Sequence, residues 1–216
     1  MTKTLHVFLL TACVLLSTTS LFGVSNIYQE PSTKKAFPRE INTSDNGHNY
    51  TMELTGVAVR SKYFVNVYAL AHYMENPVGG RPNEIYQDIM TDGKAKAAVA
   101  DWAHSATLKQ IKDGYAETFH KTLSPQDYFA LQGIIDHFMS FYQTDIRVND
   151  QHVIRWLPGG VLEVYVNGDY KGSVVSVELA QALWSNWFGP KSIIDRQQLI
   201  SFVGSSKRNS SNSASR

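Results

Sequence analysis

The sequence contains a single cysteine, Cys13, among its 216 residues. One thiol cannot form an intramolecular disulfide or a cysteine-based zinc site, so the stability of the fold must come from the packing of its core. The seven histidines also lack the close spacing of a ligand set, and we expect no bound metal. With 43% hydrophobic residues, the chain is long enough for one domain with a sizeable core.

An excess of charge of one sign is also missing, since 20 Lys and Arg residues face 19 Asp and Glu residues and leave a net charge of +1. This balance argues against nucleic acid as a partner and against docking of the whole molecule on an acidic membrane. The motifs G-x-S-x-G and H-E-x-x-H and the phosphate-binding glycine loop are absent too. We therefore expect no cofactor.

The first 25 residues have the pattern of a secretory signal peptide. "MTKTLH" supplies a basic start, and "VFLLTACVLLSTTSLF" is an apolar stretch too short to span a bilayer comfortably. Gly23-Val24-Ser25 offers a peptidase site, with Thr18 and Ser20 as a nearby competitor, so we expect secretion or a periplasmic location and no transmembrane span in the mature protein. "LTAC" also fits a lipobox, but an apolar segment follows Cys13 where a polar tether is usual, which disfavours a lipoprotein.

Composition divides the rest of the chain into three parts. Residues 26–49 are polar, hold two prolines and show no sustained period, which predicts a linker with one possible edge strand near Phe37 to Ile41. Residues 205–216 are rich in Ser and Asn and are expected to be disordered. One folded domain is therefore predicted over residues 50–204.

Hydrophobic periodicity within residues 50–204 predicts an α+β domain with the element order β-β-α-β-α-α-β-β-β-α-α. The best local signals are Ser124 before Pro125 at the start of one helix and Asn167-Gly168 in a tight hairpin. Ser105 is the expected N-cap of the preceding helix, and "SIIDRQQLISFVG" is expected to form a short closing helix. The segment "KAKAAVADWAHS" fits a helix or a strand by periodicity alone.

The segment "GVAVRSKYFVNVYALAHYM", residues 56–74, places polar groups inside an apolar strand pattern. Arg60 and Tyr68 fall on the same even-numbered face as Phe64 and Leu70 if the strand is regular. A guanidinium offers forked donors that match a carboxylate or phenolate, so Arg60 is a candidate anion clamp at the mouth of an apolar cleft, with Tyr68 as a neutral donor. The alternative is that Arg60 lies at the solvent end of a turn.

The same segment resembles the signature strand pair of the chalcone isomerase-like family, through its G-x-x-x-R-x-K start and its V-Y-A run. "LPGGVLEVYVNGDYKGSVVSVELAQALWSNWFG" is similar to the family's proline-glycine turn, NG hairpin, small-residue helix and tryptophan-glycine ending, and "LISFVG" fits its close. The resemblance covers about residues 50–204. It implies an open-faced β-sandwich, a long antiparallel sheet with helices layered on one face above a ligand cleft, and it favours a strand for "KAKAAVADWAHS".

The resemblance also implies roles for particular residues. Arg60 matches the family's anion-binding arginine, and Tyr68 stands where fatty-acid-binding members keep a tyrosine and the plant enzymes keep a threonine. Lys112 matches the enzymes' catalytic lysine, whereas Lys109 stands where their tyrosine is expected. Arg60, Tyr68 and Lys112 are therefore the candidate ligand-binding residues, and no catalytic residue is assigned.

The spacing of Arg60 and Tyr68 sets a condition on this site. Eight residues of straight strand would hold the two side chains ~26 Å apart. Both can reach one head group only if the chain turns or bulges between Ser61 and Val65.

Three functions are compatible with these observations. The leading hypothesis is an exported, non-catalytic protein of this type that binds a fatty acid or similar amphiphilic carboxylate in the cleft. The alternative is an isomerase that closes a chalcone to a flavanone, an intramolecular lyase in which Lys112 contributes electrostatically. The third is an interaction module whose cleft is collapsed. In the first two cases the partner is a small hydrophobic or amphiphilic molecule.

Overall fold

The computed structural model describes residues 26–45 and 47–204. The predicted signal peptide, residues 1–25, and the predicted tail, residues 205–216, lie outside this part of the chain. The centre of the fold is a seven-stranded antiparallel sheet in which each strand pairs with the next along the chain, in the order β3-β4-β5-β6-β7-β8-β9. These strands are β3 (Glu40–Asp45), β4 (His48–Lys62), β5 (Val65–Met74), β6 (Lys96–Trp102), β7 (Gln151–Leu157), β8 (Val161–Val166) and β9 (Asp169–Val175).

Helices cover one face of this sheet. They are α1 (Pro82–Met90), α2 (Leu108–Thr122), α3 (Pro125–Ser140) and α4 (Val177–Phe188). This arrangement confirms the predicted α+β sandwich, and the segment that periodicity left open between helix and strand is strand β6. In the described part of the chain, every helix is too short or too polar to cross a bilayer.

Two helix starts show how local chemistry sets the boundaries. Ser124 caps α3 as predicted, and its Oγ accepts a hydrogen bond from the Asp127 N–H at 3.1 Å. The cap of α2 is Thr107 rather than the predicted Ser105. Thr107 has a glutamine three residues later, and Gln110 Oε1 accepts the Thr107 N–H at 2.8 Å, which completes a reciprocal capping box that Ser105 could not form.

Side-chain alternation along the central strands produces two apolar layers. In β4 from Gly56 to Arg60, in β5 from Tyr68 onwards and in β6, even-numbered side chains pack under the helices, and odd-numbered ones face the opposite side. The first set includes Ala58, Leu70, Met74, Ala98 and Trp102, and the second includes Val57, Ala69, Ala71, Ala97 and Val99. Phe64 does not join the first set, because it lies at the tip of the β4–β5 hairpin and is fully exposed.

The second layer is covered by the segment for which a polar linker was predicted. Residues 26–45 form β1 (Ile27–Gln29), β2 (Ala36–Pro38) and β3, and β3 pairs with the start of β4. Phe37 is only 1% exposed, and Tyr28 packs against the same layer. Strands β2 and β3 lie where one edge strand was expected, and the rest of the segment is more ordered than a linker because a few apolar anchors and backbone pairing hold a stretch whose composition is otherwise polar.

The C-terminal segment also differs from its prediction. In place of a helix, "SIIDRQQLISFVG" contains a single 3₁₀ turn, Gln198–Ile200, that lies against β4. Thr55 Oγ1 donates to the Leu199 carbonyl at 2.8 Å, and the Phe202 N–H donates to the Thr55 carbonyl at 2.9 Å. Backbone bonded to a strand in this way cannot complete the regular i to i+4 pattern of a helix.

Candidate functional site

A cleft opens at one end of the sheet, between the ends of β4 to β7 and the helices α2 and α4. Its volume is about 590 Å³, within the range of small-molecule sites. Much of its wall is aromatic or aliphatic, including Tyr68, Trp102, Ile111, Tyr115, Trp187 and Ile193. Apolar walls with a few polar groups suit a ligand that has both characters.

The β4–β5 hairpin brings Arg60 and Tyr68 together at this cleft. Tyr63 and Phe64 form the turn, both with positive φ angles, of +50° and +67°. The return strand then pairs Tyr68 directly with Arg60, so their side chains lie on the same face of the sheet. The chain therefore turns between Ser61 and Val65, as the shared site requires.

Arg60 is held in place but keeps donors for a ligand. Its Nη1 donates to the Ile193 carbonyl at 2.9 Å and to the Ser61 carbonyl at 3.1 Å. Among the described residues, no carboxylate forms an ion pair with Arg60. The guanidinium is half-buried in the cleft wall rather than fully in solvent, and several of its N–H groups have no acceptor within residues 26–45 and 47–204.

Tyr68 supplies a neutral hydroxyl beside Arg60. Burial raises the pKa of Tyr68, opposed by the nearby indole of Trp187 and the positive charge of Arg60. The indole N–H of Trp187 lies close to the hydroxyl without reaching hydrogen-bond geometry, so it stays unpaired within the described structure. The Tyr68 ring packs against Trp102 with ring centroids 5.1 Å apart. At neutral pH, Tyr68 can therefore donate a hydrogen bond to an anion.

Neutral polar groups continue deeper into the site. The hydroxyls of Tyr115 and Tyr142 are 3.1 Å apart, and burial raises the pKa of both phenols. His152 lines the cleft, and burial lowers its pKa to about 4 despite the opposing charge of Asp150. These groups are uncharged at neutral pH, whereas Arg60 carries a positive charge that acts on the Tyr68 hydroxyl.

Lys112 lies elsewhere. It is exposed on α2 and does not line the cleft, whereas its neighbour Ile111 does. Lys109 is also exposed and forms an ion pair with Asp113 at 2.7 Å. The structure does not bring Lys112 together with Arg60 and Tyr68. A role for Lys112 in ligand binding therefore stays a prediction.

Several cleft residues were not singled out from the sequence. Their sequence patterns place Tyr115 on the apolar stripe of a helix, Trp187 near a helix end and His152 in an alternating strand, and none of these patterns marks a site. A signal existed for His152, since it shares the even-numbered phase of the buried Ile154 and Trp156 and so had to face the helices. Nothing local distinguishes Tyr115 from an ordinary core tyrosine.

Comparison with known proteins agrees with this architecture. Residues 35–198 match the family model described as chalcone isomerase-like, and the chain belongs to that family. The match begins before the predicted domain start at residue 50. Among curated proteins, none matches the sequence.

The fold is shared with a solved plant protein. The crystal structure of an Arabidopsis thaliana fatty-acid binding protein superimposes with a TM-score of 0.69 and 19% sequence identity. The alignment covers 83% of this chain and 98% of the plant protein. At this level of identity the likeness establishes the common fold.

Proposed function

We propose that this protein binds a fatty acid or a similar amphiphilic carboxylate without transforming it. The carboxylate contacts Arg60 and Tyr68, and the acyl chain lies among the apolar side chains of the cleft. The observation that carries this proposal is the pairing of Arg60 with Tyr68 across the β4–β5 hairpin, on the wall of an open cleft. The shared fold with a fatty-acid binding protein supports the same conclusion.

The charge pattern favours an acid over a neutral lipid. A half-buried guanidinium without a carboxylate partner is stabilised by an anionic guest, and charge-assisted hydrogen bonds are stronger than neutral ones. Tyr68, whose pKa is raised, stays protonated and donates to the second carboxylate oxygen. A ligand alcohol or ester gains much less from the same two groups.

The apolar wall supplies the remaining affinity. Each methylene moved from water into the cleft contributes ~0.8 kcal/mol before the cost of ordering the chain. Affinity is therefore expected to rise with acyl chain length until the cleft is filled.

The proposal includes export, on the basis of the sequence of residues 1–25. Its test is N-terminal sequencing of protein recovered from outside the producing cytoplasm. A chain that begins at Asn26 is the expected result, and an intact Met1 in that fraction contradicts it.

The binding proposal is tested by titration calorimetry of delipidated protein with laurate. Arg60→Ala is expected to weaken binding by about 10- to 100-fold, because a hydrogen bond to a charged group contributes ~1.5–3 kcal/mol. Arg147→Ala is the matched control, since Arg147 is exposed and does not line the cleft. Lauryl alcohol serves as the neutral ligand and should be insensitive to Arg60→Ala.

Two results would remove the proposal. One is the absence of measurable laurate binding by the wild-type protein. The other is equal laurate affinity in the wild type, Arg60→Ala and Arg147→Ala, which would show that the acid group is held elsewhere or not at all.

A further inference from the structure

The tip of the β4–β5 hairpin, residues 62–65, exposes more apolar surface than a turn requires. Tyr63 is 85% exposed, Phe64 is completely exposed and Val65 is 42% exposed. Single exposed apolar side chains are ordinary on soluble proteins, but a contiguous group of large ones marks an interaction site. Three adjacent residues at the end of a protruding hairpin form such a group.

The backbone conformation of this turn disfavours aromatic residues, so the stability of the fold does not account for them. Both turn residues have positive φ angles, a conformation that Asn and Gly adopt at much lower cost than aromatic residues. The β8–β9 hairpin uses Asn167-Gly168 for the same kind of two-residue turn. The rings of Tyr63 and Phe64 bury almost nothing in return. Strain of this kind concentrates at functional positions.

The charged residues next to the tip along the chain are both positive. From residue 59 to residue 68 the charged residues are Arg60 and Lys62. Aromatic side chains next to cations suit the boundary between lipid headgroups and acyl chains, especially where anionic lipid is present. The net charge of the chain is only +1, so the charge of the whole molecule adds little to this attraction.

We propose that the hairpin tip, residues 62–65, inserts into the headgroup region of a lipid bilayer that contains anionic lipid. Lys62, Tyr63 and Val65 also line the mouth of the cleft. Insertion therefore places the cleft entrance at the lipid surface, where an amphiphilic carboxylate can enter without crossing bulk water. This second step rests on the proposed ligand, whereas insertion of the tip does not.

The test places a reporter at the tip of the full-length chain. Phe64→Trp adds an exposed indole, while the four native tryptophans are at most 9% exposed. Its emission is recorded with vesicles of phosphatidylcholine and about one-third phosphatidylglycerol, with and without bromine on the acyl chains. Phe129→Trp is the matched control, because Phe129 is 79% exposed on α3 and does not line the cleft.

Brominated lipid is expected to quench the added indole of Phe64→Trp by about half or more, since interfacial side chains lie ~5–10 Å into the headgroup and acyl boundary. Vesicles of phosphatidylcholine alone should give less quenching. The control at residue 129 reports whether an exposed aromatic position on α3 also reaches the bilayer, and it should remain unquenched.

Three outcomes would overturn the inference: no quenching at residue 64, equal quenching at residues 64 and 129, or a concentration-dependent blue shift of the added indole without vesicles. The last would show that a second copy of the chain covers the tip. The experiments distinguish this inference from the proposed ligand. If only the ligand proposal is wrong, laurate does not bind in vesicle-free calorimetry, while the indole at residue 64 is still quenched.

Discussion

Gly56, the first residue of the G-x-x-x-R-x-K motif, is predicted to be intolerant of even one added methyl group. A Cβ at this position would lie 2.6 Å from the Leu199 carbonyl oxygen and closer still to the Gln198 carbonyl oxygen. Both atoms belong to backbone, so neither can move aside as a flexible side chain would. Gly56→Ala must therefore push the C-terminal segment away from β4.

The size of the effect follows from what that segment loses. Overpacking of a tight site costs ~1–3 kcal/mol. Displacement also weakens the bonds from Thr55 Oγ1 to the Leu199 carbonyl and from the Phe202 N–H to the Thr55 carbonyl, each worth ~1 kcal/mol. The alanine reduces the entropy of the unfolded chain and recovers less than ~1 kcal/mol. A net loss of about 3 kcal/mol is expected, or ~10 °C in Tm for a chain of this size.

The assay is thermal and urea unfolding of Gly56→Ala beside Gly133→Ala. Gly133 lies inside α3 with no atom within 4 Å of an added Cβ, so its replacement should stabilise the protein by ~0.5–1 kcal/mol. The pair separates a steric effect from the general effect of replacing glycine. A Gly56→Ala protein that melts within about a degree of wild type would refute the close approach of backbone on which the reasoning depends.

Two further predictions concern buried basic side chains and are tested by urea unfolding. Burial lowers the pKa of Lys96 from 10.5 to about 8, opposed by the charge of Asp92. Between pH 8 and pH 10.5 the unfolded chain therefore binds more protons at Lys96 than the folded chain does. Stability of wild type relative to Lys96→Met should rise from pH 8 towards 10.5 by at most ~1.4 kcal/mol per pH unit, and a constant difference would contradict this. Burial also lowers the pKa of His72 to about 3 and that of His152 to about 4 from 6.5. Stability should therefore fall as the pH drops below 6.5, by up to ~1.4 kcal/mol per unit for each histidine, and His152→Phe should roughly halve this slope. A wild-type stability that is unchanged between pH 6.5 and pH 5 would mean that neither histidine is held neutral.

Elements with complete local signals could be predicted from the sequence. Ser124 and Pro125 begin α3, and Asn167-Gly168 forms the β8–β9 turn with φ angles of +53° and +86°. In each case the residues that adopt the conformation also carry the chemistry that favours it. The family motif added the strand assignment of β6, which periodicity left open because alanine-rich segments suit both helices and strands.

The remaining elements depend on contacts that are distant in sequence. The turn at Tyr63 and Phe64 has no glycine, proline or asparagine, and it forms because β5 pairs along its whole length with Glu53–Lys62 of β4. The 3₁₀ turn at Gln198–Ile200 replaces a helix because its backbone docks at Gly56, more than 140 residues earlier. Neither contact can be predicted from the helix, strand or turn propensities of the residues involved.

The same distinction applies to the candidate site. Arg60 and Tyr68 could be identified because a cation and a phenol stand out in an apolar strand. Tyr115 and Trp187 could not, since their polar atoms reach the cleft only after α2 and α4 have packed against the sheet. The sequence therefore identifies the groups on one hairpin, and the tertiary fold supplies those around them.

The position of the turn connects the candidate site with the hairpin tip. A two-residue turn at Tyr63 and Phe64, together with the irregular pairing after Arg60, puts Arg60 opposite Tyr68 on the helix-covered face. Strand side chains alternate between the two faces of a sheet. If β5 slipped by one residue against β4, aromatic residues would still lie at the tip in solvent, but the Tyr68 side chain would point to the face opposite Arg60. The proposed binding of a carboxylate thus depends on the register of this hairpin, whereas the proposed contact of the tip with lipid depends only on its exposure. If both proposals hold, changes within the same few residues are expected to abolish carboxylate binding and lipid contact separately.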